Sequence, residues 1–328
     1  MLNLRPVDGV DVHVLVDNVT DNLSSVPAFV ETEWAALTRK RRGAWVDSGT
    51  CLCCAAHGLS CLITVRQGAE TRTLLFDSGP EDRIFEQNVS RLGADLGSVE
   101  AIVLSHGHWD HGGAMLRALQ LIRDRNGGRE VAYYSHPDMF RPRALKQADG
   151  GMLPLEDVPS IGALTAHGGK VVKTTEAQLI VNGMAYVSGE IPRLTAFERG
   201  MPGQYRKKLH GEGWEPDELV MDERFVAVNV AGKGLVVFTA CSHAGVINVL
   251  THAKATFTDV PIHAVVGGLH LAGSNEKIIP ETVESMLEFN PAFIVVGHCT
   301  GWRAITALAN AFGQEKLVPL SVGKRFLF

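Results

Sequence analysis

No stretch of about 18 uninterrupted apolar residues occurs in the 328-residue chain, which excludes a membrane-spanning helix. Blocks of like charge and a basic tail are missing too. Lys plus Arg number 31 against 36 for Asp plus Glu, a net charge of −5, so nucleic acid is not expected as a partner. The N-terminus lacks the basic-then-apolar pattern of a secretory signal, and a cytoplasmic protein is expected. Six cysteines are too few for a disulfide framework, and the cluster Cys51, Cys53, Cys54 and Cys61 has no second pair to complete a structural zinc site. Two readings of that cluster stay open: reduced buried thiols, or a redox-active or accessory metal-binding group. Linkers, low-complexity segments and repeats are also absent, so residues 1–328 read as one domain.

What is present is ample apolar material, 45% hydrophobic against 20% charged. It falls into short β-branched runs: "VDVHVLVDN" (10–18), "SCLITV" (60–65), "TLLFDSG" (73–79), "AIVLSHGH" (101–108), "VAYYSH" (131–136), "MAYVSGE" (184–190), "GLVVFTACSH" (234–243), "IHAVVGGLH" (262–270) and "AFIVVGHCTG" (292–301). Helical patterns lie between them, one opening at Pro280 and Glu281, another closing at Gly313. Runs apolar on both faces that alternate with helices predict an α/β protein with helix-covered sheets. Two stretches look irregular, 137–170 and 191–216. The second directly follows a candidate ligand and reads as a lid with glycine hinges.

The run at 103–113, "VLSHGHWDHGG", sets His106, His108, Asp110 and His111 directly after a strand. Glycines at 107, 112 and 113 are expected to let the backbone turn so that all four side chains converge. Imidazoles with a carboxylate suit zinc, manganese or iron, whereas magnesium and calcium prefer oxygen. Other strand ends bring Asp77, Glu190, Cys241, His243, His270 and His298. More than four ligands exceeds one tetrahedral zinc, which implies two metals, supporting residues, or both.

The His-x-His-x-Asp-His pattern, preceded by "LLFDSG", resembles the metallo-β-lactamase superfamily. The segments "AAHGLSCLI", "SGEIPRLTAFE", "MDERFVAVNVAGKGLVVFTACSHAGVINVLTHA", "VVGGLHL" and "VVGHCTG" resemble its dihydropterin aminobenzene ribofuranosyl phosphate synthase-like, phosphodiesterase-like subfamily. The resemblance implies a four-layer αβ/βα sandwich with a dinuclear site between the sheets. It implies that His106 and His108 bind a first metal, and that Asp110, His111 and His298 bind a second. Glu190 stands where a third histidine is usual, and Cys241 or His243 where a bridging aspartate is usual. Asp77 is expected to orient a ligand histidine, and His57 to face the site.

Two zinc ions, or manganese or iron in their place, would lower the pKa of a bridging water towards about 7. The expected activity is therefore that of a metal-dependent hydrolase using a metal-activated hydroxide on a small-molecule phosphodiester or related anionic ester. Asp110 would orient the water, and His57, His243 or His270 would supply the leaving-group proton. Arg193, Arg206 and Lys207 are expected to draw in the anion, and Trp109, Phe197, Tyr205 and Trp214 to offer stacking faces. The alternatives are a hydrolase of a cyclic ester, lactone or sulfate ester, and an iron-dependent redox or sulfur dioxygenase enzyme or ligand-sensing module.

Overall fold

The computed structural model describes residues 3–41 and 48–328. Every one of the nine apolar runs holds a strand, and these strands build two large sheets. The first has eight strands in the order Val30–Glu31, Arg325–Leu327, Gly9–Val16, Ser60–Gln67, Glu70–Phe76, Val99–Val103, Val131–Ser135, Gly169–Lys173. The second has seven, in the order Gln178–Ile180, Ala185–Val187, Val226–Val230, Gly234–Thr239, Ile262–Gly268, Phe293–Gly297, Leu317–Pro319.

Alternation along the strands decides the layers. Val10, Val12, Val14, Ile63, Leu74 and Phe76 of the first sheet share a core with Val226, Val228, Val236, Phe238, Val266 and Val295 of the second. Their chain neighbours point the other way. Leu62, Leu75 and Ile102 pack under helices Asp82–Leu92 and Met115–Arg125 through Phe85, Val89, Leu119 and Ile122. Leu235, Val237, Val265 and Ile294 pack under Val246–Thr256, Ile279–Phe289 and Trp302–Phe312 through Val249, Met286 and Leu308. Helix, sheet, sheet and helix follow in sequence, the four-layer sandwich expected. Each fully buried Val, Leu or Phe contributes about 1.5–3 kcal/mol, so a charge at Val228 or Val236 would break the central layer.

The helix signals hold as well. Pro280 sits in the first turn of Ile279–Phe289, and Gly313 ends Trp302–Phe312 with a φ of 84°. Among the described residues no helix is long and apolar enough to cross a membrane.

The two irregular stretches come together as a third sheet, Trp214–Pro216, Gln204–Lys207, Arg143–Lys146, Met152–Pro154, all antiparallel. Within 191–216, expected as a lid with glycine hinges, the structure shows two strands in place of irregular chain. Tyr205 is paired with Ala144 on one side and Pro216 on the other, and the supposed hinges Gly211 and Gly213 shape a hairpin turn with φ of 80° and 96°. Alternating signals in these short strands are too brief to stand out from loop composition.

Candidate metal centre

The ligands converge because parallel strands end together. Glu70–Phe76 runs parallel to Val99–Val103, and Gly234–Thr239 runs parallel to Ile262–Gly268 and that to Phe293–Gly297. Their carboxyl ends carry Asp77, the 106–111 loop, Cys241 with His243, His270 and His298. After Val103 the chain turns, His108 caps a single helical turn Trp109–Gly112, and that turn projects Asp110 and His111 together. Gly107 is needed for space, since a Cβ there would lie 2.1 Å from Arg143 Nη1 and 2.5 Å from Met139 O. Gly113 is likewise required for close approach, 1.9 Å to Pro80 O, and not for a turn, its φ of −60° being helical. Asp77, Ser242, His270 and His298 all adopt positive φ, 59°, 58°, 45° and 48°. Such backbone strain in residues other than glycine gathers at functional sites.

Among the described residues, three groups of side chains lie close enough to hold a metal ion: His106, His108 and His243; Asp110, His111, Cys241 and His298; and Cys241, His243 and His270. Cys241 and His243 link the other two groups, so the structure brings both into the centre where the sequence left a choice between them. His106 Nε2 and His108 Nδ1 are 2.9 Å apart. His111 Nε2 is 3.2 Å from Cys241 Sγ and 3.6 Å from Asp110 Oδ2, and His298 Nε2 is 3.4 Å from the same oxygen.

The partners of the opposite ring nitrogens explain why these atoms face one another. His106 Nδ1 meets Ser105 Oγ at 2.9 Å, and His108 Nε2 donates to Gln204 Oε1 at 2.7 Å. His111 Nδ1 donates to Asp77 Oδ2 at 2.7 Å, and His298 Nδ1 to Asn18 Oδ1 at 3.1 Å. With those nitrogens carrying the protons, lone pairs point inward at one another, an arrangement a cation stabilises. His243 has neither ring nitrogen hydrogen-bonded although it is buried, and His298 Nε2 and His270 Nδ1 are likewise without a hydrogen bond. The residues fit a metal.

Electrostatics agree. Burial, helped by neighbouring histidines, holds His106 and His243 well below the usual range, and burial with Arg143 nearby brings His108 down to about 4. These rings are neutral and ready to coordinate. Burial opposes protonation of His111 too, but Asp110 and Asp77 prevail and raise it to about 9. The second group therefore attracts positive charge. Burial pushes the Cys241 thiol up; a cysteine sulfur among imidazoles suits zinc or iron better than manganese.

Several expected residues lie elsewhere. Glu190 is not brought to the centre: strand Val226–Val230 separates its own strand from Gly234–Thr239, about two interstrand spacings, or roughly 9–10 Å. Its carboxylate meets His136 Nε2 at 3.1 Å and is 44% exposed. Arg206 is not a free cation either, being paired with Asp138 at 2.7 Å, Glu215 at 3.1 Å and Asp217 at 3.2 Å. Lys207 stacks its ammonium 4.3 Å from the Trp214 ring centroid, and Arg193 donates to the carbonyls of Leu219 and Val220 at 2.6 and 2.9 Å. Phe197 packs against the outer core. Of the stacking faces, Trp109 remains at the mouth, 5.9 Å from the His57 ring. His57 is 59% exposed, receives a hydrogen bond from Asn18 on Nδ1 at 3.2 Å and lies 3.5 Å from Asp110 through Nε2.

The cysteine cluster disperses. Cys54 hydrogen-bonds through its backbone to Asn88, Cys53 through its backbone to Glu33, and Cys61 lies in the intersheet core; among the described residues these thiols form no metal-capable group. Ser105, Gln204 and Asn18 were missed. No motif flags them, because a lone Ser, Gln or Asn in sequence is indistinguishable from a turn or cap residue.

Comparison with known proteins adds similarities to this geometry. Residues 58–194 match the model of the metallo-beta-lactamase superfamily. The chain is 26% identical over 281 residues to a 7,8-dihydropterin-6-methyl-4-(beta-D-ribofuranosyl)-aminobenzene-5'-phosphate synthase of Methanocaldococcus jannaschii, covering 83% of this chain and 90% of that one. It is 27% identical over 256 residues to an uncharacterized protein, MJ0448, of the same organism, covering 78% and 88%. Among solved structures, Tm1679, a metal-dependent hydrolase of the beta-lactamase superfamily, superposes with a TM-score of 0.70 at 22% identity, covering 97% of this chain and 98% of that one. The matched residues run through Asp77 and the entire 106–111 loop, so this stretch is similar to the metallo-beta-lactamase superfamily model, on a fold shared with that hydrolase.

Proposed function

We propose that the protein is a metal-dependent hydrolase that holds two ions, zinc in the first instance, and cleaves a small-molecule phosphodiester or related anionic ester in the cytoplasm. The observation that carries this reading is the facing set of buried donor atoms: His106, His108 and His243 for one ion, Asp110, His111, Cys241 and His298 for the other. When bound, the metals supply Lewis acidity and an acidified water. The chain's own residues supply the rest. Asp77, Ser105, Gln204 and Asn18 fix the ring tautomers, and buried walls keep the donors dry. His57, at the mouth with Nε2 directed to Asp110, is the group placed to carry a proton to a leaving group. Trp109 beside it offers a face for a planar ring. A phosphorylated, pterin-bearing compound is what the name of the 26% identical relative describes, which supports an anionic ester with an aromatic part. The paired state of Arg206 and Arg193 means that attraction for the anion comes from the centre itself.

Elemental analysis of the purified protein, coupled to turnover of phosphodiester, phosphomonoester, lactone and sulfate-ester substrates, tests the proposal. Two equivalents of zinc with phosphodiester turnover is the expected result. Iron with oxygen uptake, or turnover restricted to lactones, would replace it with one of the alternatives.

A further inference from the structure

Asp222, Glu223 and Arg224 precede strand Val226–Val230 and belong to none of the ligand groups, yet all are buried at 1% exposure or less. Each holds a different piece of the centre. Asp222 Oδ2 accepts from Gly107 N at 2.9 Å and pairs with Arg143 Nη2 at 2.8 Å, and Arg143 Nη1 donates to Gly107 O at 2.9 Å. Both polar atoms of Gly107, the residue between His106 and His108, are thereby fixed. Glu223 grips the other loop, accepting from His243 N at 2.8 Å through Oε1 and from Ala244 N at 2.5 Å through Oε2. Arg224 N donates to Ser105 O at 2.8 Å. Stability alone does not account for this arrangement. Two adjacent carboxylates are buried, Asp222 Oδ1 has no hydrogen-bond partner, and a buried ion pair by itself adds little to folding free energy.

We propose that Asp222 and Glu223 are positioning residues forming a two-pronged spacer, which sets the separation between the His106/His108 loop and the Cys241/His243 loop so that His243 completes the first ligand group. The proposal rests on the reading of these loops as metal ligands. It predicts an asymmetry. Loosening the Asp222 prong frees a loop without a thiol, whereas loosening the Glu223 prong moves the loop that carries Cys241.

Cobalt(II) titration of the full chain, starting metal-free, separates the two prongs, because a thiolate ligand gives a near-ultraviolet charge-transfer band that imidazoles do not. Asp222→Asn is expected to weaken cobalt binding about tenfold or more while leaving the thiolate band in place. Glu223→Gln is expected to weaken binding comparably and to diminish or shift that band. Melting of the metal-free variants is followed in parallel. A fall in melting temperature with cobalt affinity and spectrum unchanged would mean a purely structural role and overturns the proposal. If either variant fails to fold, Arg143→Lys, which keeps the charge beside Asp222 but removes the fork that also reaches Gly107 O, is read instead. Reduced affinity with the thiolate band retained supports the proposal, and unchanged affinity overturns it. Failure of the unsubstituted chain to bind cobalt would refute the metal reading itself, an outcome separate from equal binding by parent and variants.

Discussion

Asp77 Oδ2 lies 2.7 Å from His111 Nδ1, and neither side chain is exposed at all. The same oxygen accepts from Ser105 Oγ at 2.7 Å, and Ser105 Oγ in turn meets His106 Nδ1 at 2.9 Å. One carboxylate therefore orients a ligand in each of two groups. Asn at this position tolerates the left-handed backbone, φ 59°, but with its oxygen on His111 and Ser105 Oγ its amide NH2 would face Ser105 N, which now donates to Asp77 Oδ1 at 2.7 Å. Asp77→Asn is expected to fold and to lose about 10- to 100-fold in metal affinity, read by competition with a chromophoric chelator. Affinity within a factor of two of the parent would remove Asp77 from the orienting role.

Cys241 joins two ligand groups and Glu190 joins none. Cys241→Ser should lower bound metal from two equivalents towards one, because a serine hydroxyl at neutral pH is a far poorer ligand than a thiolate. Glu190→Gln should leave stoichiometry unchanged. Plasma emission analysis after dialysis measures both, and loss of metal from the Glu190 variant would restore Glu190 as a ligand.

Gln204 Oε1 accepts from His108 Nε2, and its amide nitrogen faces Asp217 Oδ2 at 3.2 Å, which sets the orientation of the amide. Gln204→Leu strands that N–H without an acceptor. Metal affinity should fall about 10-fold or more, and Gln204→Glu, which restores an acceptor, should recover part of it. Equal loss in both variants would point to packing and not to the hydrogen bond.

Arg206 bridges Asp138, Glu215 and the buried Asp217. Arg206→Ala is expected to cost about 1–3 kcal/mol in urea unfolding, between the values for exposed and buried pairs. Lys207→Ala, losing an exposed ammonium over Trp214, should cost about 0.5–1 kcal/mol. Neither should change the Michaelis constant for anionic substrates in a salt-dependent way. A selective, salt-sensitive rise would return these cations to substrate attraction.

The sequence by itself determined the layers and the ligand-rich strand ends. Continuous apolar runs such as 60–65 and 73–76, whose successive side chains point to opposite faces, leave one satisfactory burial pattern, two apolar faces per strand, and the His106 to His111 spacing is local enough to converge within a single turn. His298, more than 180 residues further on, was legible through its place after an apolar run and through family likeness. Tertiary structure alone decided the rest. Glu190 and Cys241 follow similar runs, and only the strand order, with Val226–Val230 interposed, moves one carboxylate aside while keeping the thiol. Arg206 reads as a free cation until Asp138, from a distant segment, and Asp217, just past the neighbouring hairpin strand, neutralise it. Gln204, Asp222 and Glu223 reach the ligand loops through hydrogen bonds between residues well separated along the chain. Such bonds depend on where two loops meet in space, and they leave no periodicity or spacing along the chain.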